Sequence, residues 1–205
     1  MKKLKVILPV IAGLLALVLC VLIIHHFTYP IKIDSSATSG QLSLEDEQAL
    51  AAEIAELGRR QGYRPAVELY SWVRLGNTVY YLMERDGQLG YATLVKGLNG
   101  GYKLDSLSYG TGDFREGIIV DNETKYLLMA GRNREPHIAK ITAAMDGFVY
   151  EFVIEDDASH YFFCIELDKQ TLGNDLSRSD VFFYDHDGND ITDAYELSGG
   201  GFLAP

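Results

Sequence analysis

The chain has 205 residues, of which 47% are hydrophobic and 23% charged, which is ordinary composition for a globular protein. Its formal net charge is −11. Residues 1–34 hold four of the 18 Lys and Arg residues but only one of the 29 acids, so the rest of the chain carries a net charge of −14. Such a field repels phosphate backbones, and we therefore expect no nucleic-acid partner.

An uncharged run of nineteen residues, 6–24, follows three lysines near the N-terminus. A helix of this length nearly spans the ~30 Å hydrocarbon core of a bilayer, and the lysines favour the cytoplasmic side. We therefore predict a transmembrane signal-anchor in residues 1–27, which contacts the lipid bilayer through residues 6–27. The chain would then be a single-pass protein of the cell membrane, with a cytoplasmic N-terminus and an extracytoplasmic C-terminal domain.

Two other export signals compete with a signal-anchor. A cleaved secretory signal has a shorter apolar region, of about 7–15 residues. A lipoprotein signal would use Cys20, but Leu19 stands where a small residue is expected. Cys20 and Cys164 fall on opposite sides of the predicted export boundary, so no disulfide is expected in the exported part. The apolar run around Cys164 is typical of a buried, inert thiol.

A Ser-, Thr- and Gly-rich linker at residues 28–42 leads into a predicted amphipathic helix. Ser43 can cap this helix, and the three acids at 45–47 suit the positive end of its dipole. Four runs rich in β-branched and aromatic residues follow, separated by Gly-Asn, Asp-Gly and Asn-Gly-Gly turns that supply positive φ angles. These runs are residues 67–75, 78–85, 88–96 and 102–109. The pattern predicts a helix packed on a four-stranded antiparallel meander over residues 43–116.

The second half of the chain continues in short predicted strands. They are residues 117–120, 125–130, 138–144, 148–154, 161–167 and 181–184. They indicate a small, β-sandwich-like antiparallel unit over residues 117–198, with a tail at 199–205. The predicted fold class is α+β: an N-terminal transmembrane helix, one amphipathic helix with an antiparallel β-meander, and the sandwich-like unit. The pattern leaves open whether the two β-rich halves share one core.

An acidic loop is the candidate metal site. Asp185, Asp187, Asn189 and Asp190 alternate around a Gly-containing turn, and their oxygens suit a hard cation such as calcium. The loop lacks the Gly at position six and the Glu at position twelve of an EF-type loop, so a solvated hairpin turn is the alternative. A rise in melting temperature on adding calcium would distinguish the two, because a ligand of the native state stabilises it.

No catalytic or cofactor-binding residues are predicted. Ser159 and His160 lie close to the acids at 156–157, but the members of a catalytic triad meet in space and usually come from separate loops. The chain has neither a G-x-S-x-G nor an H-E-x-x-H motif. Arg132 and Arg134 are two cations in an acidic domain, and they would either bind an anionic group or lie in a solvated loop.

The Lys-rich anchor, the stretch from Gly90 to Leu104 and the segment from Tyr184 to Thr192 resemble the uncharacterised, signal-anchored extracytoplasmic proteins of Gram-positive bacteria. The resemblance implies a location and no activity.

From these observations we predict a membrane-tethered extracytoplasmic domain that acts as a non-enzymatic protein-interaction or accessory module. Its partner would be a protein at the outer membrane face. The thirteen tyrosines fit half-buried strands, and Tyr is also a preferred anchor at interfaces. Two alternatives stay open: a ligand- or calcium-sensing domain that uses the acidic loop 180–193, and an unrecognised cell-envelope hydrolase.

Overall fold

The computed structural model describes residues 13–20, 31–34, 37, 39–60, 62, 65–134, 137–169 and 180–195. It is mostly β, at 52% strand. Its helical parts are residues 13–20 (α1), α2 at Leu44–Arg60, and a short 3₁₀ turn at Thr192–Ala194. The strands are β1 Ser39–Gly40, β2 Val67–Leu75, β3 Thr78–Arg85, β4 Gln88–Lys96, β5 Tyr102–Gly110, β6 Phe114–Asp121, β7 Thr124–Arg132, β8 Lys140–Met145, β9 Phe148–Val153, β10 His160–Glu166 and β11 Val181–Tyr184.

The strands form three antiparallel sheets. Sheet A has the order β1-β2-β3-β4-β5, sheet B the order β10-β7-β6, and sheet C the order β11-β8-β9. The turn Asp86-Gly87 joins β3 to β4, and Asp146-Gly147 joins β8 to β9. Both residues of each turn have positive φ, at 52° and 71° in the first and 50° and 85° in the second. A two-residue hairpin turn of type I′ requires this geometry, and an Asx-Gly pair accommodates it most easily.

The elements stack in the order α2, sheet A, sheet B and sheet C, with an apolar cluster at each junction. Leu50 and Ile54 of α2 pack on one face of sheet A around the fully buried Tyr81. The other face of sheet A packs on sheet B, and the far face of sheet B packs on sheet C. The adjacent residues Leu127 and Leu128 are both fully buried, and they belong to the clusters on opposite sides of sheet B. Sheet B therefore takes part in two cores.

The predicted fold class of α+β is wrong. The described residues form a mostly β structure in which α2 covers one outer face of three stacked antiparallel sheets. The sequence pattern indicated one helix-and-meander unit beside one sandwich-like unit, because strand periodicity does not show which sheets are covered on both faces.

The prediction of a transmembrane helix is also contradicted. Among the residues that the structure describes, no helix is long and apolar enough to cross a membrane. Residues 13–20 are helical, and the rest of the run 6–24 lies outside the described residues, as does the tail 199–205.

Part of the predicted linker packs in the core. Ile31 exchanges backbone hydrogen bonds with Tyr102 at 3.1 and 2.7 Å. The side chains of Ile31 and Ile33 are buried against sheet A. The Ile-Lys-Ile alternation was the signal for this, but it is too short to count as a strand on its own.

The prediction of a β-rich chain is confirmed, and several elements lie where the sequence placed them. Predicted strands 67–75, 78–85, 88–96 and 181–184 coincide with β2, β3, β4 and β11. The helix α2 begins after Ser43, whose Oγ accepts the backbone N–H of Asp46 at 3.2 Å. That bond satisfies one of the donors that every helix N-terminus leaves open.

Candidate functional site

The predicted acidic loop follows β11 and closes on itself. The Asp185 carboxylate accepts the backbone N–H of Asp187 at 3.0 Å, the backbone N–H of Asn189 at 2.8 Å, and Nδ2 of Asn189 at 2.9 Å. These hydrogen bonds lower the pKa of Asp185, and the bond from the Asn189 side chain has the largest effect. Asp190 Oδ1 accepts the N–H and the hydroxyl of Thr192 at 2.9 and 2.6 Å. The oxygens of both aspartates therefore stabilise the turn itself.

The four predicted metal ligands are neighbours in this loop, where Asp185 and Asp190 accept hydrogen bonds from the loop itself. In the described part of the chain, no group of three or more His, Cys, Asp or Glu side chains is arranged to hold a metal ion. The calcium site at Asp185, Asp187, Asn189 and Asp190 stays a prediction.

A second polar group, which we name the Arg132 cluster, lies between sheets A and B and consists of Arg132, Glu84, Asp113 and His160. The Arg132 side chain, 9% exposed, donates from Nε to Glu84 Oε1 at 2.6 Å and from Nη1 to Asp113 Oδ1 at 2.7 Å. Its Nη2 donates to the carbonyl of Gly87. The guanidinium of Arg132, a residue of sheet B, therefore bonds to Glu84 and Gly87 of the β3–β4 hairpin in sheet A and to Asp113 in the loop before β6.

His160 begins β10 and completes the Arg132 cluster. Its Nε2 lies 2.8 Å from Glu84 Oε1, and its ring stacks on Tyr70 of β2 with the ring centroids 3.7 Å apart. Its Nδ1 lies 3.1 Å from the hydroxyl of Ser159. The 76 positions between Glu84 and His160 explain why sequence patterns could not pair them.

The contacts of Ser159, His160 and Glu84 bring together the residue types of a Ser–His–Glu triad. However, the Glu84 oxygen that faces His160 also accepts the shorter bond from Arg132, and Ser159 and His160 are adjacent in the chain. The charges of the cluster are satisfied within it, which is the arrangement of a structural link between two sheets. The hydrolase alternative stays a prediction, and this geometry does not favour it.

The two arginines that the sequence singled out have different environments. The three nitrogens of the Arg132 guanidinium donate to Glu84, Asp113 and the carbonyl of Gly87. Arg134, whose side chain is 60% exposed, reaches Asp113 from Nη2 at 3.3 Å. Both cations face a carboxylate of this chain, so an external anion would compete with an internal one.

Glu84 makes the stability of the fold depend on pH. The hydrogen bond from Arg132, which is the largest influence, holds the pKa of Glu84 at about 2, below the usual 4.5. Because the folded-state pKa lies below the unfolded one, the ionised carboxyl stabilises the native state above about pH 4.5, and this contribution is lost as the pH falls toward 2. We expect Glu84→Gln to lower the free energy of unfolding at neutral pH, and this deficit relative to wild type to shrink between about pH 5.5 and about pH 2.5. Urea titrations across that range measure the difference, and a deficit independent of pH would contradict the expectation.

The aromatic residues and Cys164 serve mainly in packing. Tyr81 and Tyr102 are fully buried, and Trp72 lies in the core cluster between α2 and sheet A. Burial raises the pKa of the Cys164 thiol to about 12. A thiol with so high a pKa is a poor nucleophile, in agreement with the inert role predicted for it.

The outer face of sheet C carries three exposed apolar side chains. Val149 and Val153 of β9 are 65% and 74% exposed, and Phe182 of β11 is 38% exposed. We define this face by the outward residues of the three strands, which are Lys140, Thr142, Ala144, Val149, Glu151, Val153, Phe182 and Tyr184. The opposite face of the same strands forms the core against sheet B.

The two charged residues of this outer face, Lys140 and Glu151, have opposite signs. Lys140 Nζ lies 3.5 Å from Glu151 Oε1 and 5.1 Å from the ring centroid of Tyr184. The face is therefore neutral in sum, although the chain as a whole is strongly acidic. A neutral, apolar face is less costly to desolvate than a charged one.

Together, the fold and the surface define a stack of three antiparallel sheets with α2 on one outer face and the apolar face of sheet C on the other. No family model, no curated protein and no solved structure matches this chain.

Proposed function

We propose that this chain is a non-enzymatic protein-interaction module that acts outside the cytoplasm. The exposed outer face of sheet C is the observation that supports it. Sheet A is covered by α2 and sheet B, and sheet B by sheets A and C. Sheet C is covered by sheet B on its inner side, while Val149, Val153 and Phe182 lie exposed on its outer side. Apolar side chains grouped on one sheet face are typical of interaction surfaces.

The polar groups of the described residues support this function rather than catalysis. The Arg132 cluster bonds internally, and the acidic loop uses the oxygens of Asp185 and Asp190 to hold its own turn. An exposed apolar face needs no such chemistry, because it gains free energy by removing its area from water on binding.

The extracytoplasmic location is supported by the three lysines followed by the uncharged run 6–24, which is the charge pattern of an export signal, and by the acidic remainder of the chain. A C-terminal epitope tag tests it. The tag should react with antibody on intact, unpermeabilised cells, and reaction only after permeabilisation would refute the location.

Site-specific photo-crosslinking in the producing cell tests the interaction. A photoreactive residue at position 153 of the full-length chain should yield a defined adduct with one protein. Val120 is the matched control, since it is also an exposed valine (61%) but lies on β6 of sheet B. The adduct should be absent from position 120 and should disappear when Val149→Lys is added to the chain. The proposal fails if position 153 gives no adduct, or if positions 153 and 120 give the same one.

A further inference from the structure

The strand β9 forms one edge of sheet C. It pairs with β8 alone among the described strands, because the order of the sheet is β11-β8-β9. Within the described part of the chain, its other side is therefore open to a further strand. The exposed valines of the outer face lie on this same edge strand.

The hairpin turn determines which backbone groups point to the open side. In a two-residue hairpin the closing pair, here Met145 and Phe148, exchanges both backbone hydrogen bonds, and such pairs alternate along an antiparallel ladder. The backbone groups of Phe148, Tyr150 and Phe152 therefore bond to β8. The backbone N–H of Ile154, two residues beyond Phe152, donates to the carbonyl of Ala139 at 2.9 Å and so continues the same alternation.

It follows that Val149, Glu151 and Val153 direct their N–H and C=O groups away from β8. Each of the three also presents its side chain on the outer face of sheet C. An added strand would therefore meet three donors and three acceptors in register, with two valines flanking one glutamate. This is the arrangement by which an extended peptide adds to a sheet edge.

The edge strands β5, β6 and β11 carry features that hinder strand addition, whereas β9 does not. Of the two remaining edge strands, β1 has two residues, and β10, which is as regular as β9, exposes only its last residue, Glu166. The edge strand β5 contains Lys103, and its pairing with β4 shifts register between Thr93 and Leu94. The edge strand β6 contains Arg115, and β11 has four residues. By contrast, β9 pairs with β8 without a register shift and contains no Pro, Lys or Arg. Long, regular edges without such residues are the ones that accept another strand.

Charge decides between the possible occupants of this edge. If β9 of a second copy paired with it antiparallel about a two-fold axis, in the register that uses all three open residues, Glu151 would lie opposite its own symmetry mate. The turn acid Asp146 would also approach the acids at 155–157 of the copy. Like charges placed directly opposite each other on a sheet are destabilising. The contact of Glu151 with Lys140 is 3.5 Å long and exposed, so a basic residue placed opposite Glu151 would share its carboxylate and be stabilised. Apolar β-branched residues on either side of that basic residue would pack beside Val149 and Val153.

We infer that β9 binds an extended partner segment by strand addition, and that this segment places a Lys or Arg between two apolar residues. The partner is thus a protein with an apolar–x–basic–x–apolar stretch. This inference rests on the proposed function, since it identifies the edge of the same face as the point of contact.

Fluorescence polarisation with two synthetic peptides tests the inference on the full-length chain. The first peptide is Thr-Val-Thr-Lys-Thr-Val-Thr, and the second has Glu in place of Lys. We expect the Lys peptide to bind about fivefold more tightly, which is the scale of one cross-strand charge pair. Glu151→Lys should reverse the preference. Glu166→Lys is the matched control, an exposed acid on the edge strand β10 of sheet B, and should leave the preference unchanged.

Val149→Pro tests the backbone part of the inference. It removes an N–H that points to the open side, so binding of the Lys peptide should be lost while the melting temperature stays close to that of wild type. If this variant does not fold, Val153→Lys places a charge on the same edge and should weaken the Lys peptide more than the Glu peptide. Equal binding of the two peptides, no binding of either, or concentration-dependent self-association abolished by Glu151→Lys would overturn the inference. The proposed function would survive any of these results if the adduct at position 153 persists.

Discussion

Replacing Arg132 with methionine is expected to lower the free energy of unfolding by about 3 kcal/mol. This is the low end of the cost of breaking a buried ion pair when one partner is removed and the other stays charged. Methionine keeps the volume and the apolar stem, but it leaves Glu84 with His160 alone and Asp113 with the exposed Arg134. The low end applies because Asp113 is 25% exposed and water can compensate it in part. For a chain of this size the melting temperature should fall by about 6–12 °C.

Arg134→Met is the matched control for this effect. The two arginines are two positions apart and share Asp113, but Arg134 is largely exposed. An exposed ion pair contributes about 0–1 kcal/mol, so this variant should unfold close to wild type. If the two variants were equally stable, the Arg132 cluster would not link sheets A and B as its geometry indicates.

A double-mutant cycle isolates the contribution of the pair itself. Glu84→Gln should cost much less in the Arg132→Met background than in wild type, because the cation that pairs with the carboxylate is already gone. Chemical denaturation of the four variants at neutral pH measures this coupling. Independent, additive costs would show that Glu84 and Arg132 do not interact in solution.

The sequence was sufficient to predict those parts of the structure that depend on residues close together in the chain. The Asp86-Gly87 and Asp146-Gly147 turns take positive φ at both positions, so the hairpins they close could be placed from the dipeptides alone. The start of α2 was equally local, because Ser43 bonds to the N–H three residues later. Short-range chemistry of this kind needs no knowledge of the tertiary fold.

Contacts between distant elements account for what the sequence could not show. Leu127 and Leu128 belong to a continuous apolar run, and such a run is typical of a strand buried on both faces. This was the available signal that sheet B is the middle layer, but it does not identify which sheets cover it. Arg132 lies beyond the predicted strand 125–130, but it ends β7, and its partners are 48 and 19 positions away in the chain.

The acidic loop shows a different limit of sequence patterns. The spacing of Asp185, Asp187 and Asn189 is compatible with calcium ligands and with a turn that its first aspartate closes. The structure shows that Asp185 accepts three donors from the loop itself, while the calcium site stays a prediction. A residue pattern records which oxygens are present, whereas their orientation depends on the backbone.

Leu127→Ala and Leu128→Ala should each lower the free energy of unfolding by about 3 kcal/mol, within the range for a buried Leu truncated to Ala. Both side chains are fully buried, but they line the clusters on opposite sides of sheet B. The two residues are adjacent in β7 but share no cluster, so the double variant measures how strongly the backbone couples the two cores, and costs that add to within about 0.5 kcal/mol would show that this coupling is weak. Val120→Ala, at an exposed valine of the same sheet, should change stability by no more than about 0.5 kcal/mol.

Whether the chain unfolds in one transition or two is the stronger test of the role of sheet B in both cores. If sheet B is one cooperative layer of both cores, each leucine variant should shift a single transition that tryptophan fluorescence and far-UV circular dichroism report identically. Trp72 is the single tryptophan of the chain and lies in sheet A, so its fluorescence follows the part of the stack far from sheet C. Leu127→Ala, which opens a cavity toward sheet C, should therefore still shift the Trp72 signal by the full amount. A Trp72 transition that stays in place while the circular dichroism splits would show instead that the halves unfold separately, as the predicted units 43–116 and 117–198 would.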